Sequence, residues 1–223
     1  MSTNRTELFT VGGGAFVISG VLFFIGYGLD MMAGPPPATG AEILGWVEEN
    51  RLLLSLVSEV LFFASTSLIP ALVALYLSLA RESNVLAVIG CGILAIIIPV
   101  LSVLIIVQGR LVYPVYGLHI SDPAVAELIV AIFYGGLHAV GLLMAIATFI
   151  LSLAMRRGAF GTPIVALGFV TTVGDVIWSY PYLISPVVQF GCQLLLAAWF
   201  AAVGWKLLRM HKLELSDEQQ DAS

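Results

Sequence analysis

Charge is scarce in this chain. Only 10% of its 223 residues are Asp, Glu, Lys or Arg, while 60% are hydrophobic; soluble domains carry about 25% charged residues. That shortage excludes a water-exposed globular surface. The 9 Lys and Arg residues form no basic run, so no footprint for nucleic acid exists and no such partner is expected. Cysteine is nearly absent, with Cys91 and Cys192 only. In the topology argued below they sit near opposite membrane faces, roughly ten ångströms or more apart in depth, which is beyond disulfide reach. Both read as small apolar residues facing neighbouring helices.

Other absences bear on chemistry. There are three histidines, His119, His138 and His211, with no HxxxH or HExxH spacing, so a zinc hydrolase lacks its ligand set and no metal is expected. Ser179 lies one turn from Asp175 but outside any GxSxG context. No Walker or dinucleotide glycine pattern falls on a strand–helix unit, and the "GGGAF" at 12–16 is embedded in an apolar run. No catalytic residue and no cofactor is assigned; an enzyme ranks last. Period-two alternation is missing, which excludes a β-barrel.

What the chain has is apolar length. Its mean hydropathy is +1.03, and six runs reach the roughly 20 residues that cross a bilayer. They fall at about 8–29, 52–80, 85–109, 124–155, 162–183 and 187–208. The expected fold class is all-α: a polytopic bundle of six transmembrane helices over 1–212, with the lipid bilayer as its first partner, followed by a disordered, acidic cytoplasmic tail at 213–223. The first run exceeds the about 7–15 apolar residues of a signal peptide and no small-residue cleavage site closes it, so it reads as an uncleaved span. With the N-terminus inside, the inner face holds Arg5, Arg81, Arg156, Arg157, Lys206, Arg209 and Lys212, and the outer face only Arg51 and Arg110. Basic residues favour the cytoplasmic side, so both termini are expected there, in a cell membrane.

The outer loop after the first span carries local signals. Pro35, Pro36 and Pro37 force an extended piece. Thr39 and Glu42 have capping-box spacing and predict a short helix bearing Ile43, Leu44 and Val47 on one face, lying on the outer leaflet or capping the bundle. Asp122 before Pro123 reads as the N-cap of the fourth span. Pro70, Pro99 and Pro181 are expected to kink helices. Small residues in the first, third and sixth spans read as packing seams within one bundle, and Trp46, Trp199, Trp205, Tyr113 and Tyr116 as interfacial aromatics.

Polar residues inside the spans gather in the outer half. Glu59 and Asp175 lie roughly two turns below the outer ends of their spans, His138 lies in the outer to middle part of the fourth, Gln108 and Arg110 close the third span, and Gln189 and Gln193 occupy the start of the sixth. A charge at the bilayer centre costs at least about 2.5–3.5 kcal/mol on insertion scales, so these groups are expected to face the bundle interior. Glu59, Arg110, His138, Asp175 and Gln193 would line an outward-facing polar pocket, with Gln108, Ser179 and Gln189 nearby and walls of Phe62, Tyr134, Trp178 and Tyr182. Alternatively, the same residues are buried ties that fix helix register. The pocket predicts a binder of a small-molecule or lipid ligand, acting as a sensor, a carrier or an accessory subunit. A small proton-coupled transporter is the competing function, disfavoured by the nearly pure hydrocarbon of the inner half.

The order of a Gly-rich first span, an outer loop, a polar-bearing second span and a last span reading "QLLLAAWFAAVGWKLL" resembles a bacterial family of six-span integral membrane proteins catalogued as a domain of unknown function. The resemblance covers about 8–208. It implies an acid early in the last span, where this chain has Gln193. The family carries no established activity, so the resemblance implies architecture only.

Overall fold

The computed structural model describes the backbone of residues 2–221 and the side chains of 7–210. Among these residues it is all-helical, with no strand beyond one isolated bridge, Val115 to Leu118. Six helices follow in order: α1 (Ser2–Ala33), α2 (Gly40–Glu49), α3 (Arg51–Val112), α4 (Pro123–Met155), α5 (Thr162–Trp178) and α6 (Pro186–Asp221). Four of them, α1, α3, α4 and α6, are long and apolar enough to cross a membrane; α5 is apolar but shorter. The exterior is rich in large apolar side chains: Val11, Ile18, Ile69, Val103 and Ile106 are all more than half exposed. Such a surface suits hydrocarbon, where backbone groups must be satisfied within each helix.

Helix α3 has 62 residues and would be about 93 Å long if straight, three times the roughly 30 Å hydrocarbon core. It is not straight. Ser83 leaves helical geometry (φ −147°, ψ 54°), within the polar cluster Arg81, Glu82, Ser83 and Asn84, whose Ser and Asn compete with helical hydrogen bonds. The two ends of α3 meet: Arg51 Nε donates to Val112 O at 3.0 Å and the Tyr113 hydroxyl donates to Ser55 O at 3.2 Å. The element is therefore a helical hairpin with arms 51–82 and 84–112, the break falling where the sequence places the turn between its second and third spans.

The segments form a ring in sequence order. Helix α1 packs on α3 and α6, α3 on α4, α4 on α5, and α5 on α6. Small residues set these approaches. A Cβ on Gly13 would lie 2.8 Å from Gly204 O and one on Gly20 would lie 2.9 Å from Ala197 O, both against α6. Close seams of this kind replace the hydrophobic effect as the basis of helix association in lipid. Interhelical hydrogen bonds accompany them: the Ser19 hydroxyl donates to Ala64 O at 2.8 Å, and that of Thr171 to Leu195 O at 3.3 Å. Both cysteines are buried and free.

Local signals mostly act as read. Asp122 accepts from Ala124 N at 2.9 Å and Pro123 opens α4. Helix α2 forms behind Thr39 with Ile43 and Val47 buried, but the Thr39 hydroxyl donates to the Glu42 carboxylate at 2.8 Å instead of accepting from its N–H. This helix caps the bundle: Gly40 N donates to Glu127 of α4 at 2.7 Å, and Trp46 Nε1 to Ala33 O at 2.9 Å. Gly34, at φ +76°, ends α1 in the left-handed conformation that glycine adopts freely.

Two expectations need correction. The helix of α5 stops at Trp178, short of 183, because Pro181 disfavours α geometry at the residue before it. Trp199 is not interfacial. It is fully buried, and Gly168 leaves room for its indole. The expected acidic tail at 213–223 lies outside the described side chains.

Candidate functional site

One end of the bundle gathers the end of α1, all of α2, both ends of α3, the start of α4, the end of α5 and the start of α6. A cavity of about 370 Å³ opens there between α1, α4, α5 and α6. Its position follows from the helix stops. Gly34 and then Pro35 and Pro36 carry the chain away from α1, while Pro181 and Pro186 bracket the turn between α5 and α6; all five residues line the space. Helices that end at different heights leave a hollow that side chains only partly fill.

Five residues singled out from sequence line this cavity: Tyr134 of α4, Trp178 of α5, Tyr182 of the following turn, and Gln189 and Gln193 of α6. Their spacing is helical. Gln189 and Gln193 stand one turn apart, and Trp178 ends α5 on its buried face. The Gln189 amide donates to Pro181 O at 2.7 Å and Ile184 O at 3.3 Å, which fixes the turn and leaves its carbonyl oxygen as the group still to be used. Gln193 is buried and its Oε1 has no hydrogen-bond partner.

The other expected residues lie elsewhere. Glu59 is exposed on the first arm of α3, its carboxylate 3.2 Å from the Tyr113 hydroxyl as a second acceptor beside Ser55 O; Phe62, next on that face, is also exposed. Arg110 is exposed near the end of the second arm. Gln108 is buried beside a smaller void lined also by Trp46 and Tyr134, and its Oε1 lacks a partner. Asp175 is 2% exposed and sits behind the cavity, accepting from the Thr148 hydroxyl of α4 at 2.9 Å. Ser179 is buried and its hydroxyl donates to Val176 O at 2.7 Å. His138 Nδ1 lies 2.6 Å from Ser179 O. A carbonyl only accepts, so Nδ1 carries the proton, and the ring packs edge-on to Tyr180 at 4.8 Å. Asp175, Ser179 and His138 are thus ties between α4 and α5, whereas Glu59 and Arg110 belong to another face.

Two lining residues of α1 were not legible as site residues, Tyr27 and Asp30. Charge pattern alone groups Asp30 with the loop acids Glu42, Glu48 and Glu49. Its spacing of three from Tyr27 is the signal that puts both on one helical face. Tyr27 meets Trp178 edge-on, with centroids 5.4 Å apart and planes at 73°, so the two rings form a corner of the cavity. Phe190 closes another side, packed on Phe24 at 5.1 Å. Asp30 makes no hydrogen bond or ion pair with any described residue, and no Lys or Arg lines the space.

The site is therefore a part-enclosed aromatic hollow with one carboxylate, two glutamines and tyrosine hydroxyls. It can hold a ligand by apolar contact and by accepting and donating hydrogen bonds. Among the described residues no group of three or more His, Cys, Asp or Glu is placed to hold a metal ion. No family model, curated protein or solved structure matches this chain.

Proposed function

We infer that this chain is a multi-pass protein of the cell membrane that binds a small or amphipathic molecule in the cavity between α1, α4, α5 and α6. Six spans, α1, the two arms of α3, α4, α5 and α6, cross the bilayer. The cavity end faces outward and both termini are cytoplasmic. Supporting this orientation, the end of the bundle opposite the cavity carries Arg81, Arg156, Arg157, Lys206 and Arg209, and basic residues favour the cytoplasmic side. The role is that of a binding protein, a sensor, carrier or accessory subunit, and not of a catalyst.

The observation that carries this reading is an aromatic hollow lined by buried Gln193, whose Oε1 has no partner, and by half-buried Asp30, which makes no hydrogen bond or ion pair with a described residue. Buried polar groups in native proteins are paired with few exceptions, and a ligand supplies the missing partners. The volume falls within the roughly 300–1,000 Å³ typical of small-molecule sites. Native mass spectrometry of the detergent-purified protein tests it. A bound small molecule or lipid is expected on the wild type and is expected to be lost from Ala131→Trp, whose indole would occupy the cavity. An adduct retained equally by both proteins would place the ligand elsewhere.

A further inference from the structure

The lining of the cavity also selects the chemistry of its ligand. An ionised carboxylate only accepts hydrogen bonds, and the two donors of Gln189 are already given to Pro181 and Ile184 carbonyls. The buried oxygen of Gln193 is likewise an acceptor in want of a donor. The Gln193 amide N–H groups and the hydroxyls of Tyr27, Tyr134 and Tyr182 are also unused, and they donate; what selects the ligand is therefore charge, the carboxylate of Asp30 with no basic side chain in the lining to neutralise it. Around these groups stand Tyr27, Tyr134 and Trp178, rings whose faces attract cations within about 6 Å. An anion would meet the Asp30 charge with nothing to offset it. A bare divalent metal ion would need about six oxygen ligands, and only one carboxylate is present.

We propose that the cavity takes a protonated amine bearing a small apolar group, its ammonium placed between Asp30 and Gln193 and its apolar part among Tyr27, Tyr134 and Trp178. This rests on the cavity being the ligand site. The same ammonium is presented by a free small amine and by an ethanolamine phospholipid headgroup reaching in from the outer leaflet, since the space is open at the bundle end.

The test uses the full chain in detergent and in nanodiscs. 2-Phenylethylammonium and its uncharged analogue 2-phenylethanol are titrated while tryptophan fluorescence is followed, with Trp178→Phe identifying the signal from the cavity. Saturable binding of the amine is expected, at least tenfold tighter than the alcohol. Asp30→Asn should weaken the amine at least tenfold without changing the alcohol, and Asp30→Glu should restore most of the loss. Amine binding that is abolished in phosphatidylethanolamine nanodiscs and intact in phosphatidylglycerol ones identifies the headgroup as the occupant. Equal binding in both identifies a free amine. Either result supports the proposal. Equal affinity for amine and alcohol, or an amine affinity indifferent to Asp30→Asn, overturns it while leaving the cavity as a ligand site. Absence of saturable amine binding in both detergent and phosphatidylglycerol nanodiscs also overturns it, and the mass-spectrometric adduct then decides separately whether the cavity binds anything.

Discussion

The pair Thr148 and Asp175 allows a sharp energetic test of how the acid in α5 is accommodated. The Thr148 hydroxyl has one proton and two acceptors in reach, Met144 O at 2.8 Å and Asp175 Oδ2 at 2.9 Å. Removing the hydroxyl, as in Thr148→Val, leaves Asp175 buried without its side-chain donor, and an unsatisfied buried group costs about 1–3 kcal/mol, more if charged. Removing the acid, as in Asp175→Ala, leaves the hydroxyl its Met144 acceptor, so no buried donor is orphaned. Once Asp175 is gone, Thr148→Val should therefore add little. The double variant is expected to be less destabilised than the sum of the singles by about 1–3 kcal/mol, within the range of coupling energies for residues in contact. Thermal unfolding in detergent reads this, at about 2–4 °C per kcal/mol for a chain of this size. Strictly additive effects would refute the reasoning, because they would mean that Asp175 does not depend on Thr148.

The same close packing makes three further substitutions informative. A Cβ on Gly168 would strike the Ser152 hydroxyl and lie 2.7 Å from Trp199 Nε1, so Gly168→Ala is expected to destabilise by about 1–3 kcal/mol through overpacking, with partial rescue by Ser152→Ala; an unchanged unfolding temperature would contradict the packing. Gln193→Leu removes a buried oxygen that has no partner, so the ligand-free protein should be as stable or slightly more stable, while the native mass-spectrometric adduct weakens; a large loss of stability would show a protein partner for Gln193. With Cys91 and Cys192 replaced by Ala, Tyr116→Cys, at a fully exposed turn, should react with an impermeant maleimide in intact cells, and Arg157→Cys only after permeabilisation. The opposite pattern would invert the proposed topology.

Much of the architecture was already written in residue order. Scarce charge and long apolar runs dictate helices in a bilayer, because lipid offers no partner for a free backbone amide. Asp122–Pro123 starts α4, and the polar cluster at Ser83 breaks α3, by local chemistry that needs no tertiary contact. Even the gathering of polar residues toward one end of the bundle was legible, since depth follows from counting along a helix. The limit appears with facing. Spacing says that Gln189 and Gln193 share a side, and that Thr171 and Asp175 do, but not which neighbour that side meets.

That choice was made by packing. The glycines of α1 and α6 draw those helices together, which turns Tyr27 and Asp30 toward Trp178 and Gln193 and leaves Glu59 on the exposed surface of the first α3 arm. Residue order alone places carboxylates and amides near one end of an apolar bundle. It took the packed helices to bring Asp30, an apparent loop acid, to the hollow, and to tie Asp175 to Thr148 behind it. The rotation of a helix about its axis is set by the shapes it packs against, and those shapes come from residues far away in the chain.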